Sequence, residues 1–167
     1  PVLAVVAHAQ TFSDGAHTSI PAPGLGALAV ARGGRDSVIA RNLGELGVGI
    51  DDVAFVSKHD TSTNANDPNE SDLHTRVGMA LGRTPGNPLL VISQKTLTGH
   101  AKGGACVFQV GGIIDVFRTG LIPANVALDC VDDAMEQYSP LVWLRSPLNL
   151  SSRGPVRAAF ATSLGFG

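Results

Sequence analysis

Residues 53–70 read Val-Ala-Phe-Val-Ser-Lys-His-Asp-Thr-Ser-Thr-Asn-Ala-Asn-Asp-Pro-Asn-Glu, and the fold is decided there. Residues 53–57 form a short apolar run, which predicts a buried strand. Residues 67–70 form a helix start. Asp67 can cap, Pro68 suits the first helical position, and Glu70 completes a capping box. That helix is predicted to reach Leu81, with Gly82 just past its end. Residues 89–93 are a second apolar run and predict a second strand. Strand, helix and strand in this order make a parallel pair with a right-handed crossover.

The pattern extends both ways. Upstream, residues 37–46 have helical periodicity, with Val38, Ile39, Leu43 and Leu46 on one face. Asp36 is the expected cap and Gly47 the expected stop. Residues 10–35, rich in Gly, Pro, Ser and Thr, predict a long functional loop. Residues 3–9 predict a further buried strand. Downstream, residues 105–118 are apolar almost all round, which predicts a helix buried between layers. Residues 141–144 and 156–163 predict two last strands, joined by a turn-rich segment. The order is βαβαβαββ, an α/β fold with a mostly parallel sheet.

Composition narrows the function classes. The chain has 167 residues, 44% hydrophobic and 16% charged, and a net charge of -2. That composition opposes intrinsic disorder and suits one domain. No basic stripe is present to neutralise phosphates, so nucleic acid is not the expected partner. No apolar run approaches the ~20 residues of a membrane span. Two cysteines, Cys106 and Cys130, make no disulfide framework, which predicts a reducing, cytoplasmic setting. With no initiator Met and an apolar end, the chain reads as cut from a longer polypeptide.

Two polar constellations follow predicted strands. One is Lys58-His59-Asp60-Thr61-Ser62-Thr63; the other is Gln94-Lys95-Thr96-Leu97-Thr98-Gly99-His100. The carboxyl ends of strands are where open α/β sheets bind ligands. If the two strands are neighbours, His59 and His100 face one cleft. Two ring N–H donors on one carbonyl oxygen would stabilise an oxyanion or enolate. Lys95 can bias the field there. Thr61 and Thr63 can hold the amides of a long ligand.

These motifs, His59-Asp60-Thr61-Ser62-Thr63 and then Lys95-Thr96-Leu97-Thr98-Gly99-His100, resemble the β-ketoacyl synthase signature. Ser163-Leu164-Gly165-Phe166-Gly167 resembles the Gly-Phe-Gly turn that closes that family's acyl pocket. Asn66-Asp67-Pro68-Asn69-Glu70 and His100-Ala101-Lys102-Gly103-Gly104 look like the versions in bacterial and fungal type I fatty acid synthases. The resemblance runs over essentially the whole chain and implies a thiolase-like fold. It matches the C-terminal half, the nucleophilic cysteine belonging to an N-terminal half outside this chain.

The resemblance also implies roles. The reaction is decarboxylative Claisen condensation of malonyl-carrier protein with an acyl thioester. His59 and His100 would hold the thioester oxygen, and each ring would then carry its proton on Nε2. Lys95 would act electrostatically, Glu70 would be a buried acid ordering the site, Thr61 and Thr63 would bind the phosphopantetheine arm, and Phe166 would gate the acyl chain. Expected partners are an acyl carrier protein domain, the N-terminal half and further copies within a multienzyme. No cofactor or metal is expected on this segment. A rival reading is a non-catalytic thiolase-like half serving assembly or carrier-protein docking. Asp60 departs from the family's usual Gly, which puts the turn of that loop in doubt. Gln109 stands where some free-standing relatives have a carboxylate. Cys106 is expected to face out of its helix as a non-nucleophile.

Overall fold

Two apolar runs pair as the sequence predicts. The computed structural model describes residues 1–13 and 25–165. Strands β1 (Val53–Ser57) and β2 (Leu89–Ile92) are parallel, with Val56 opposite Val91. Between them runs helix α3 (Asn66–Leu81), ended by Gly82 at φ 82. Before them come α1 (Leu25–Leu28) and α2 (Val38–Glu45). After them come α4 (Lys95–Thr98), α5 (Ala105–Thr119), β3 (Leu121–Ile122), β4 (Leu141–Trp143), β5 (Leu148–Asn149) and β6 (Ala158–Ala161). The main sheet has the order β4-β2-β1-β6, with every pairing parallel; β3 and β5 form a separate antiparallel ribbon.

The chain moves from β1 to β2 to β4 and then returns to β6 on the other side of β1. That reversal is a topological switch point, where α/β sheets open a crevice at their carboxyl ends. Against β6, the register shifts between Val53 and Phe55. The irregularity puts Val53 and Val56 on one face, packed with Leu89, Val91, Leu141 and Ala158. Ile50 and Phe160 join this cluster to Ile39, Leu43, Leu73, Val77 and Leu81 of α2 and α3. Phe55, Leu90 and Ile92 face the other way, onto Val116 of α5 and Ile122.

Four local expectations are corrected. Residues 3–9 form no strand, and Leu3, Val5 and Val6 are exposed. A strand exists only through a ladder; this segment lies instead on α2, where Asn42 Nδ2 donates to Ala7 O at 3.1 Å. Of residues 10–35, expected as a loop, 14–24 lie outside the described residues, and from Leu25 the chain coils into α1 and two 3-10 turns, Ala29–Ala31 and Gly34–Asp36. Asp36 is consumed by that turn, so Ser37 caps α2, its Oγ accepting from Ala40 N at 3.3 Å. Helix α5 is not buried all round. Ala105, Gln109 and Val116 face inward, while Val107 and Phe108 stay 73% and 49% exposed. Its spacing supplies one stripe to the sheet, and nothing else among the described residues covers the rest.

Arg83 fastens the end of α3 to the starts of both central strands. Its guanidinium donates to the carbonyls of Asn87 (3.1 Å), Ile50 (2.7 Å), Val53 (3.1 Å) and Pro88 (2.6 Å). Buried carbonyls left without donors cost ~1–3 kcal/mol each. Arg83→Leu should therefore lower the thermal midpoint markedly. Arg83→Lys should rescue little, because one ammonium cannot reproduce the planar fork. A midpoint unchanged in Arg83→Leu would contradict this role.

Candidate active site

The site grows from the end of β1. Lys58 N still donates to Ile92 O at 3.0 Å, so the ladder runs one residue past the strand. The chain then turns, and the carboxylates of α3 catch it. Glu70 Oε1 accepts from His59 N at 2.6 Å and Glu70 Oε2 from Asp60 N at 3.0 Å. Asp67 Oδ1 accepts from Thr61 N at 3.1 Å. The expected capping box is absent. Thr63 takes over at the helix start, with its Oγ1 accepting from Asn66 N at 3.2 Å. Glu70 is buried and turned to the loop, which presents two backbone N–H groups with no other acceptor.

The second loop meets the first through Lys95. Its ammonium donates to the carbonyl oxygen of His59 and lies 3.1 Å from His59 Nδ1. Gly99, at φ 70, ends α4 and delivers His100. The two imidazole rings stand edge to face, 5.4 Å between centroids and 83° between planes. His59 is buried; His100 is exposed.

Their hydrogen bonds fix the tautomers. A protonated Lys95 has only donors, so His59 Nδ1 must accept and Nε2 must carry the proton. Lys102 N donates to His100 Nδ1 at 3.0 Å, so its neutral ring also carries the proton on Nε2. Burial lowers the His59 pKa, and Lys95 lowers it further, against the pull of Glu70. His59 is therefore neutral at pH 7. Burial also lowers the Lys95 pKa, opposed by Glu70, Asp60 and Asp67. The result is two rings whose Nδ1 atoms are engaged and whose Nε2 atoms are left to donate, beside the Lys95 ammonium.

A second network ties this floor to β6, across the switch point. Thr162, just past β6, donates its hydroxyl to Glu70 Oε1 and its backbone N to Ser57 O at 3.1 Å. His74 Nε2 lies 3.1 Å from Thr162 Oγ1 and 3.9 Å from Glu70 Oε1. Burial would raise the Glu70 pKa, but His74, Lys58 and Thr162 outweigh it and hold the carboxyl well below the usual range. Gln109 Nε2, from α5, donates to Ser57 O (2.8 Å), Lys58 O (3.0 Å) and Thr162 O (2.8 Å). An ionised carboxylate at this position could donate to none of them, so the amide fits its surroundings.

This geometry is matched by kinship. The family profile described as "Beta-ketoacyl synthase, C-terminal domain" matches residues 3–129. The chain belongs to the β-ketoacyl synthase C-terminal domain family. It is 42% identical over 131 residues to the fatty acid synthase alpha subunit pigJ of Monascus ruber, covering 78% of this chain and 7% of that protein. It is 38% identical over 169 residues to the alpha subunit stcJ of Emericella nidulans, covering 100% of this chain and 11% of that one. It is 40% identical over 136 residues to the fatty acid synthase subunit alpha of Saccharomyces cerevisiae, covering 80% of this chain and 7% of that one. The chain thus spans about a tenth or less of these relatives. In fold it is similar to the oxazolomycin ketosynthase domain OzmH KS7 of Streptomyces albus. The TM-score is 0.62 at 21% identity, over 81% of this chain and 22% of that one. Together these establish the thiolase-like architecture expected from the sequence.

In this member of the β-ketoacyl synthase C-terminal domain family, the structure brings His59, Lys95, His100 and Glu70 together. Thr61 and Thr63 stand on the rim, their hydroxyls 3.2 Å apart. Phe166 lies outside the described residues. Cys106 is exposed on α5, as expected. Sequence reasoning gave Asp67 only the role of a helix cap and did not single out Thr162, Ser93 or the Lys58–Asp60 pair. One signal was available for the pair: a lysine directly after a strand buried on both faces has little route to solvent and needs an anion.

Proposed function

We propose that this chain supplies the decarboxylating, enolate-holding part of a β-ketoacyl-acyl carrier protein synthase within a type I fatty acid synthase. The observation that carries this reading is the edge-to-face pair of His59 and His100 rings beside Lys95, each ring with its Nδ1 engaged and its Nε2 left to donate. In the reaction, the bond between the malonyl carboxylate and Cα breaks and carbon dioxide leaves. The electron pair passes into the thioester, whose oxygen becomes the enolate oxygen. Two fixed donors hold that charge without any reorganisation at the moment it forms. The enolate carbon then attacks an acyl thioester, and a cysteine thiolate leaves.

In this proposal the cysteine belongs to an N-terminal half outside the chain, and the acyl carrier protein delivers malonyl on its phosphopantetheine arm. Thr61 and Thr63 would bind the arm, and Phe166 would gate the acyl chain. Kinship to fatty acid synthase alpha subunits supports a multisubunit, multidomain assembly, which we place in the cytoplasm. No cofactor is assigned to the segment itself.

Residues 1–167 expressed alone should show no condensation, because the nucleophile is missing. The full-length polypeptide should condense malonyl- and acyl-carrier protein. Turnover by the isolated chain would overturn the placing of the nucleophile outside it.

A further inference from the structure

We propose that the buried Lys58–Asp60 ion pair is a positioning device. It locks the loop that carries His59 to the loop that carries Lys95 and His100. The inference rests on the reading of the site given above.

Lys58 is 1% exposed, and lysines are almost never fully buried without a partner. Its ammonium lies 2.6 Å from Asp60 Oδ1, donates to Ser71 Oγ of α3 at 2.9 Å, and sits 5.5 Å from the centre of the Trp143 ring of β4. The other oxygen of Asp60, Oδ2, accepts from Ser93 Oγ. Ser93 directly follows β2 and precedes Lys95 by two residues. It is itself held, its N donating to Asn125 Oδ1 at 2.7 Å. One carboxylate therefore joins the residue before His59 to the root of the second loop.

The backbone indicates that the carboxylate matters. Asp60 sits at φ 28, in the left-handed region that glycine enters freely and other residues enter at a cost. A glycine here would relax the turn but lose both contacts. Stability alone explains the arrangement poorly, because a buried ion pair is seldom worth more than packed apolar groups. What the pair adds is direction. Neither Lys58 nor Asp60 has a hydrogen bond to the His59 ring, yet they flank it in sequence, and small displacements of a reacting constellation cost rate steeply.

Asp60 has a second, electrostatic consequence. Lys95 is faced by Glu70 and Asp67 of α3 and by Asp60 and His59 of the first loop, with Lys58 behind Asp60 and the His100 ring on the His59 ring. Asp60 is one of the anions that oppose the effect of burial on Lys95. Removing its charge should lower the Lys95 pKa and move the alkaline limb of activity to lower pH.

The test uses the full-length synthase and malonyl-carrier protein decarboxylation. Asp60→Asn keeps an acceptor for Ser93 but breaks the ion pair. It should lower kcat roughly tenfold or more, with KM changed less than about twofold, and shift the alkaline limb downward. Lys58→Met combined with Asp60→Gly removes the stranded charge and the strained backbone together. That double variant should recover thermal stability without recovering kcat. Wild-type kcat in the double variant, or an unchanged kcat and pH profile in Asp60→Asn, would overturn the proposal. His100→Ala, assayed in parallel, separates the two levels. If it is inactive while the Asp60 variants are normal, only the positioning role fails. If it also decarboxylates normally, the site reading itself fails.

Discussion

His100→Ala in the full-length synthase is expected to lose malonyl decarboxylation by roughly two to three orders of magnitude, the range typical of a deleted oxyanion donor. The reason lies in what His100 does structurally, which is little. It is exposed, and its protein contact by hydrogen bond is the Lys102 N–H, which water can satisfy once the ring is gone. Surface changes of this kind stay within about 0.5 kcal/mol of stability. Rate should therefore fall while the thermal midpoint holds. Both are read on one preparation, by carbon dioxide release and by a melting curve. Normal turnover combined with weakened assembly would favour the docking reading over the catalytic one. His59→Ala should lose comparable activity but also stability, since His59 is buried and accepts from Lys95.

Glu70→Ala is expected to be the most damaging single change for folding. Glu70 is fully buried and accepts from His59 N, Asp60 N, Thr162 Oγ1 and, at 3.3 Å, Asn66 Nδ2. Truncation strands two backbone N–H groups and leaves Lys58 with one anion fewer. Breaking a buried charge network in this way costs about 3–5 kcal/mol. Glu70→Gln keeps the volume but offers one acceptor where two are needed, so it should fall between.

The pH dependence follows with a definite sign. Burial raises the Glu70 pKa, yet His74, Lys58 and Thr162 bring it down from 4.5 to about 2. A depressed folded pKa stabilises the native state above the unfolded value and ceases to as pH falls through the folded value. Wild type should lose this contribution between pH 4.5 and about 2. Glu70→Gln, with no group to titrate there, should show a shallower loss over the same interval. Parallel acid-unfolding curves for the two proteins would sink this assignment.

The residues of the candidate site differ in how visible they were in the sequence. His59, Lys95 and His100 stand out in the sequence because polar, protonatable side chains directly follow apolar strands, and strand ends are where α/β sheets bind. Glu70 was ambiguous. A Glu three residues after an Asp at a helix start suits a capping box and a buried acid equally well. The loop N–H groups decided between them, and those belong to residues ten and eleven positions away. The Lys58–Asp60 pair was legible only in part, since nothing local says that Asp60 turns its carboxylate to Ser93.

The sequence by itself determined β1, β2, α2, α3, the core-facing residues of β1 and β2, and the two loops that carry the histidines. Those features rest on periodicity, caps and turn residues within a few positions of one another. The structure decided four others: residues 3–9 as something other than a strand, the one-sided burial of α5, Ser37 rather than Asp36 as the cap of α2, and the partners that engage Nδ1 of His59 and His100. A strand needs a partner ladder and a helix face needs a covering surface. The His59 ring nitrogen takes its role from Lys95, 36 positions away, and that of His100 from Lys102, two positions away. The strand, the helix face and the His59 nitrogen depend on contacts between segments far apart in sequence, where the local pattern is silent.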